Sequence, residues 1–155
     1  MSIRQHDFTI ERRFSQTPAQ AFQAFADPEL KARWFGAPDT WTEQERAIDF
    51  RVGGSELSAA RDDGGRHHLF RSRYHEIADA ERIVYAYDML LDQRLVSVSL
   101  ATIEFRRGDD GGGTHLVFTE HGAFFDELED PADREHGTGL LLDGLQAFLV
   151  SGVAA

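Results

Sequence analysis

Histidines are the first side chains to consider for chemistry in this 155-residue chain, because it has seven of them and no cysteine. Without cysteine the chain has no thiol nucleophile, no disulfide and no cysteine-ligated metal site. His67 and His75 share one face of a predicted strand, but their spacing places them about 26 Å apart at ~3.3 Å per residue. The adjacent His67 and His68 point to opposite faces, and Glu135-His136 lacks the second histidine of a zincin motif. We therefore predict no dedicated metal and no cofactor.

Motifs for nucleophilic catalysis and phosphate binding are also missing from the sequence. There is no G-x-S-x-G elbow, and no glycine-rich segment leads from a predicted strand into a helix. The glycine clusters at 53–54, 64–65 and 111–113 stand between predicted strands, which is typical of turns. We predict no dedicated catalytic residue.

The charge balance limits the partners that the chain can have. It carries 27 acidic and 16 basic side chains, a formal charge of −11, and an acidic protein repels phosphate backbones and anionic lipids. We predict no nucleic-acid partner and no membrane partner. Neither a signal peptide nor a ~20-residue apolar span is evident, which favours a cytoplasmic protein. Lys31 is the only lysine, and we interpret this as coding bias.

The elements that must position any site are predicted from periodicity and turn signals. Residues 7–14 alternate as a strand, and Thr17-Pro18 and Asp27-Pro28 each supply an N-cap followed by a proline at the first helical position. Two short helices are therefore expected, the second ending near Gly36. Six further strands follow, joined mostly as antiparallel hairpins. Their predicted spans are 46–52, 55–61, 66–77, 82–90, 97–107 and 114–121.

A long helix is predicted at the end of the chain. Asp130 is its N-cap, Pro131 its first residue, and an apolar stripe marks its second half. Residues 132–139 are polar and include two glycines, each of which costs about 1 kcal/mol in a helix. Either this half covers a space without packing tightly, or the helix begins later. The stripe consists of Leu141, Leu142, Leu145, Phe148 and Leu149.

Four segments resemble the SRPBCC, or START-like, superfamily. They are PELKARWFG (28–36), DFRVGG (49–54), RIVYAY (82–87) and the pair TIEF…GGGTHLVFTEHG ending at residue 122. Within the superfamily the chain is most similar to the branch homologous to the C-terminal domain of the heat shock protein 90 ATPase activator. The family usually has a tryptophan after the glycine of the last helix, where this chain has Leu140.

The resemblance implies an α+β helix-grip fold in a single domain over residues 1–155. A curved antiparallel sheet of about seven strands would wrap around the long C-terminal helix, with two short helices after the first strand. Such a fold can leave a cavity between the sheet and the last helix. Aromatic residues and a few polar ones fall on the strand faces that would line it, and they are our candidate ligand-binding residues. They are Phe25, Trp34, Phe35, Phe70, Ser72, Tyr74, Tyr85, Tyr87, Ser99, Phe118, Glu120, Leu141, Leu142 and Leu145.

Glu120 is the sharpest of these candidates. An inward carboxylate on an apolar face would have a raised pKa or require a partner, whereas a strand that twists outward would leave it solvated at the rim. We predict a protein that binds a small hydrophobic or aromatic molecule, as a monomer or homodimer.

Two other functions follow from the resemblance. A polyketide cyclase-like enzyme could use Glu120, Tyr74 and Tyr85 as acid–base groups, provided that the three converge in one cavity. A chaperone ATPase-activating role is the other, although we expect no room in this chain for the additional chaperone-binding domain of the eukaryotic activator.

Overall fold

The computed structural model describes residues 2–151 and places seven strands and three helices along them. The order is that of the predicted helix-grip fold: one strand, two short helices, six strands and a long helix. The elements are β1 (Ile3–Phe14), α1 (Pro18–Ala26), α2 (Pro28–Lys31), β2 (Thr42–Ile48), β3 (Ser55–Arg61), β4 (His67–Ala78), β5 (Arg82–Leu91), β6 (Arg94–Arg107), β7 (Thr114–Phe125) and α3 (Pro131–Val150).

All seven strands form one antiparallel sheet in the order β1-β7-β6-β5-β4-β3-β2. Hairpins join β2 through β7 in sequence, and β1 returns to pair with β7 over its whole length. One face of the sheet supplies most of the buried side chains, and α1 and α3 pack on the same core. The predicted α+β architecture is therefore confirmed.

Helix starts follow the predicted capping signals. The Thr17 hydroxyl accepts from the backbone N–H of Gln20, whose side chain accepts in return from the Thr17 N–H, a complete capping box. Asp27 and Asp130 cap α2 and α3 in the same way, each accepting from a backbone N–H two residues on. Because α3 is helical from Pro131 onward, the alternative of a later start is wrong.

The boundaries of five predicted elements need correction. The strand predicted at 46–52 ends at Ile48, because the Asp49 N–H donates to the Ser55 carbonyl and the hairpin turns between them. The α2 helix ends at Lys31, and the Trp34-Phe35 segment continues only as turns. β1, β6 and β7 are longer than predicted, because residues 3–6 pair with residues 122–125, and Leu95 and Arg94 pair with Leu90 and Leu91. No helix in residues 2–151 is long and apolar enough to cross a membrane.

Candidate ligand-binding site

The inner face of the sheet carries a row of small and polar residues across four strands. Ser72 on β4 pairs directly with Tyr87 on β5, which pairs with Ser99 on β6, which pairs with Gly122 on β7. Glu56 on β3 extends the row, because its register partner is Ser72. Since direct partners lie about 4.5–5.5 Å apart, the row brings these groups into one continuous polar band inside the fold.

One end of the band is a buried ion pair. The Lys31 ammonium, at the end of α2, donates to Glu56 Oε1 at 2.5 Å, and the Tyr74 hydroxyl donates to the same oxygen at 2.8 Å. All three residues are at most 4% exposed. Burial lowers the pKa of Lys31, which the Glu56 carboxylate opposes. Burial and the adjacent Glu56 charge together raise the pKa of Tyr74.

The other end of the band is a network around Glu120. The Tyr87 hydroxyl donates to Glu120 Oε2 at 2.8 Å and accepts from Arg134 Nη1 at 3.1 Å. Arg134 reaches in from α3, donates to Ser97 Oγ at 3.0 Å, and holds Glu129 through two hydrogen bonds of 2.7 and 2.8 Å. The guanidinium also lies over the Phe124 ring, 4.9 Å from its centroid. This network fastens the first turn of α3 to the sheet.

Glu120 points inward, which settles the alternative between an inward and a rim position. It is 2% exposed, and burial raises the pKa of its carboxyl to about 7, against the opposing effects of the Tyr87 hydrogen bond and the Arg134 charge. Burial also raises the pKa of Tyr87. The carboxyl of Glu120 therefore changes its protonation state near neutral pH, inside the protein.

Two hydroxyls in the middle of the band have no partner. Ser72 Oγ and Ser99 Oγ are buried and form no hydrogen bond with any group in residues 2–151. They flank Tyr87 on its two neighbouring strands. A buried hydroxyl left without a partner costs about 1–3 kcal/mol, so these atoms mark a place where a further polar group would be stabilised.

Aromatic rings continue from these hydroxyls to the edge of the fold. Phe70 lies 4.9 Å from Tyr87 and 5.4 Å from Phe35, measured between ring centroids. Phe35 contacts Trp34 in turn, with their centroids 5.8 Å apart, and both residues are half-buried. The rings therefore form a continuous apolar wall from the polar band to the segment that follows α2.

The family of the chain is decided by its sequence as well as by this geometry. The model for the family described as "Activator of Hsp90 ATPase homolog 1-like protein" matches residues 15–150. The chain belongs to this family. Its match spans all but the first strand of the sheet, so the family assignment covers the whole candidate site.

Solved structures of similar proteins agree with the family assignment. An uncharacterized protein from Rhizobium leguminosarum is 36% identical, with 97% of each chain covered and a TM-score of 0.90. The Mll3558 protein from Rhizobium loti is 38% identical over 96% of this chain and 99% of its own, with a TM-score of 0.87. An AHSA1-like protein from Aeromonas hydrophila, 18% identical over 97% and 96% of the two chains, shares the fold with a TM-score of 0.67. No curated protein matches the sequence.

Within this family member, the predicted cavity residues fall into two groups. The structure brings together Phe35, Phe70, Ser72, Tyr74, Tyr85, Tyr87, Ser99 and Glu120 along the band and its aromatic wall. Trp34 joins the wall through Phe35. The second group packs elsewhere in the same hydrophobic core: Phe25 against Trp34 and Phe105, Phe118 against Phe8, and Leu142 and Leu145 from α3, with Leu141 half-buried.

The three proposed acid–base groups do not converge through hydrogen bonds. Tyr74 donates to Glu56, Glu120 accepts from Tyr87, and Tyr85 bonds to neither of them. The Tyr85 ring lies between the other two, 6.0 Å from the Tyr74 ring centroid. The arrangement required for a cyclase-like acid–base site is therefore not formed by these side chains.

Two grooves open on the surface, and neither is lined by a predicted cavity residue. The larger, of about 500 Å³, lies between β1 and α3 and is lined by residues that include Ile10, Arg12, His136 and Leu140. The smaller, of about 310 Å³, lies between α1 and the end of α3. Leu140, the departure from the family pattern, is 57% exposed and borders the larger groove, so it does not shape the interior.

Sequence reasoning missed five residues of the buried ion pair and the Glu120 network: Lys31, Glu56, Ser97, Glu129 and Arg134. Lys31 carried a signal, because it is the single lysine among 16 basic residues, but coding bias was the interpretation we gave it. Glu56 alternates with small residues on β3 and could have been read as inward-facing. No local sequence feature distinguishes Arg134 from other charged residues at the start of a helix.

Across residues 2–151, no three histidine or acidic side chains come close enough to hold a metal ion.

Proposed function

We propose that this protein binds a small apolar or aromatic molecule against the inner face of the sheet, beneath the first half of α3. The observation that carries the proposal is the pair of unpartnered hydroxyls of Ser72 and Ser99, on either side of Tyr87. A ligand with hydrogen-bonding groups at one edge would satisfy both. Its apolar body would lie against Phe70 and the other rings of the wall. Small-molecule sites commonly combine apolar walls with a few placed polar groups in this way.

The hydroxyls of Ser72 and Ser99 are buried, so a ligand that reaches them must displace part of the fold that covers them. The first half of α3 is the element best suited to move. It contains Gly137 and Gly139, and a Cβ placed on Gly137 would meet no atom within 4 Å. Glycine weakens a helix, and lifting this half would break the hydrogen bonds of Arg134 to Tyr87 and Ser97 and expose the buried Pro131 and Thr138. We propose that the ligand enters when this half lifts from the sheet.

The test is a binding screen of the whole protein against a library of apolar and aromatic molecules that carry a hydrogen-bonding group. Thermal shift selects ligands, and native mass spectrometry measures stoichiometry and affinity. For a selected ligand, we expect the Ser72→Ala, Ser99→Ala double variant to bind about tenfold more weakly, because two neutral hydrogen bonds at about 0.5–1.5 kcal/mol each are lost.

Two control variants locate the bound molecule. Ser15→Ala removes an exposed serine and should leave the affinity unchanged. Leu140→Arg fills the entrance of the larger surface groove and should also leave it unchanged. The proposal is wrong if no library member binds, or if Leu140→Arg abolishes binding while the two serine substitutions do not affect it.

A further inference from the structure

The Lys31 amine is a buried group whose chemistry the noncovalent proposal does not use. It is in direct contact with a carboxylate that can take its proton and with a phenol: Glu56 Oε1 lies 2.5 Å away and the Tyr74 hydroxyl 3.4 Å away. The side chain is 5% exposed, and the Phe35 ring covers the nitrogen at 4.4 Å from its centroid. An amine, a carboxylate and a phenol in mutual contact inside an aromatic environment form a site for carbonyl chemistry.

We infer that Lys31 captures an apolar aldehyde or ketone covalently, as an imine, with Glu56 as the proton carrier and Tyr74 as a hydrogen-bond donor to the carbonyl oxygen. This activity is separate from the noncovalent site at Ser72 and Ser99. Both sites lie on the same polar band, since Glu56 pairs with Ser72 across β3 and β4.

The step balances with the groups present. The Lys31 ammonium gives one proton to the Glu56 carboxylate, and the free amine adds to the carbonyl carbon. The C–O π electrons go to oxygen, which takes the proton that the nitrogen loses, and a carbinolamine results. Glu56 then returns its proton to that hydroxyl, water leaves, and the nitrogen lone pair forms the C=N bond. The products are the protonated imine, water and the Glu56 carboxylate.

The surroundings of Lys31 favour the reactive form of the amine. Burial lowers the pKa of Lys31 against the opposing charge and hydrogen bond of Glu56, and the Arg46 charge lowers it slightly further. Lysines that form Schiff bases in proteins are activated in the same way, by an apolar environment or a neighbouring cation.

The Phe35 ring covers the Lys31 amine. Phe35 is half-buried, follows the end of α2 in a turn, and precedes Gly36. Its carbonyl accepts from Arg46 Nη2 at 2.6 Å, while its side chain contacts Trp34 and Phe70. Ligand access to the Lys31 nitrogen would require this ring to turn aside, because it lies directly over the amine.

The sequence makes the experiment unusually specific, because Lys31 is the only lysine and the N-terminal amine is the only other primary amine. The native protein is incubated with benzaldehyde and sodium cyanoborohydride, which reduces an imine to a stable secondary amine. Intact mass counts the adducts, and peptide mapping assigns them. We expect Lys31 to be labelled about a hundredfold faster than the N-terminal amine, the low end of what a positioned acid–base group supplies.

Variants separate reactivity from folding. Lys31→Arg keeps the charge pair and should leave only the N-terminal adduct. Glu56→Gln keeps an acceptor for Tyr74 and should slow the Lys31 adduct about a hundredfold, because the proton carrier is lost. Phe35→Ala should accelerate formation of the Lys31 adduct, because the ring that covers the amine is removed. The inference is overturned if the native protein is labelled only at its N-terminus, or if Lys31 reacts as fast in urea-unfolded protein as in the native one.

Discussion

The Tyr87 hydroxyl donates a 2.8 Å hydrogen bond to Glu120 Oε2, and the same hydroxyl accepts from Arg134. This three-residue chain links β5, β7 and α3 through side chains that are almost fully buried. Its protonation state changes near neutral pH, because burial raises the pKa of Glu120 to about 7. The free energy of unfolding must therefore respond to pH through this carboxyl.

The first prediction concerns that response. Between the ordinary carboxyl pKa of 4.5 and about 7, the folded protein holds a proton on Glu120 that the unfolded chain has lost. The contribution of Glu120 to the free energy of unfolding therefore falls as the pH rises from 4.5 to about 7, and it is constant at higher pH. A pKa difference of one between the folded and unfolded states corresponds to about 1.36 kcal/mol, so the total loss of stability over this pH range is at most about 3 kcal/mol.

Glu120→Gln removes this titration while keeping an oxygen acceptor for Tyr87. Urea unfolding at several pH values should show that the stability of the variant relative to the natural protein increases from pH 5 to pH 8. Glu45→Gln, at an exposed position on β2, serves as the control and should give a constant difference. A Glu120→Gln difference that does not change with pH would contradict the prediction. Arg134, Glu129 and His6 also act on the Glu120 carboxyl, so their charges must be intact in both proteins.

The second prediction concerns the Lys31–Glu56 pair. Lys31→Met leaves the Glu56 charge buried without its cation and should cost about 3–5 kcal/mol in urea unfolding. The double variant Lys31→Met, Glu56→Gln removes both charges and keeps an acceptor for Tyr74, so it should be more stable than Lys31→Met alone. Arg82→Met breaks the exposed pair with Glu76 and should have little effect. Equal stabilities of the single and double variants would show that Glu56 is not held as an isolated buried charge.

The sequence predicts those features of the fold and the site that depend on residues adjacent along the chain. The caps at Thr17, Asp27 and Asp130 and the strand alternation depend on nearest neighbours, so the elements were predicted with small boundary errors. Tyr85 and Tyr87 were placed on the inner face by the same alternation. The orientation of Glu120 could not be decided, because it depends on the twist of β7 between β1 and β6.

Long-range pairings explain what was missed. Lys31 and Glu56 are 25 residues apart, and Arg134 and Tyr87 are 47 apart. Each pair meets only because a helix packs on one particular strand, and no periodicity within either segment encodes that contact. The unpartnered state of Ser72 and Ser99 is also a property of the packed fold, since it depends on every neighbour that could have bonded to them.

The third prediction concerns those two serines in the ligand-free protein. Ser72→Ala and Ser99→Ala each remove a buried hydroxyl that lacks a partner, so each should raise the free energy of unfolding by about 1 kcal/mol. Thr114→Val is the matched control, because the buried Thr114 hydroxyl donates to the Gln16 carbonyl at 2.8 Å. That substitution should lower stability by about 1 kcal/mol. Serine variants that are less stable than the natural protein would indicate that their hydroxyls do have a partner, such as an ordered water.

The fourth prediction compares two glycines that differ in the space available for a side chain. A Cβ on Gly122, in the middle of β7, would lie 2.8 Å from Ser99 Oγ and 3.0 Å from Phe124 Cε1, whereas a Cβ on Gly137 in α3 would meet nothing. Gly122→Ala should therefore lower the free energy of unfolding by about 1–3 kcal/mol through overpacking. Gly137→Ala should raise it by about 0.5–1 kcal/mol, because alanine is the better helix former. Urea unfolding measures both, and a Gly122→Ala protein as stable as the natural one would mean that the polar band has room beside Ser99 for an added methyl group.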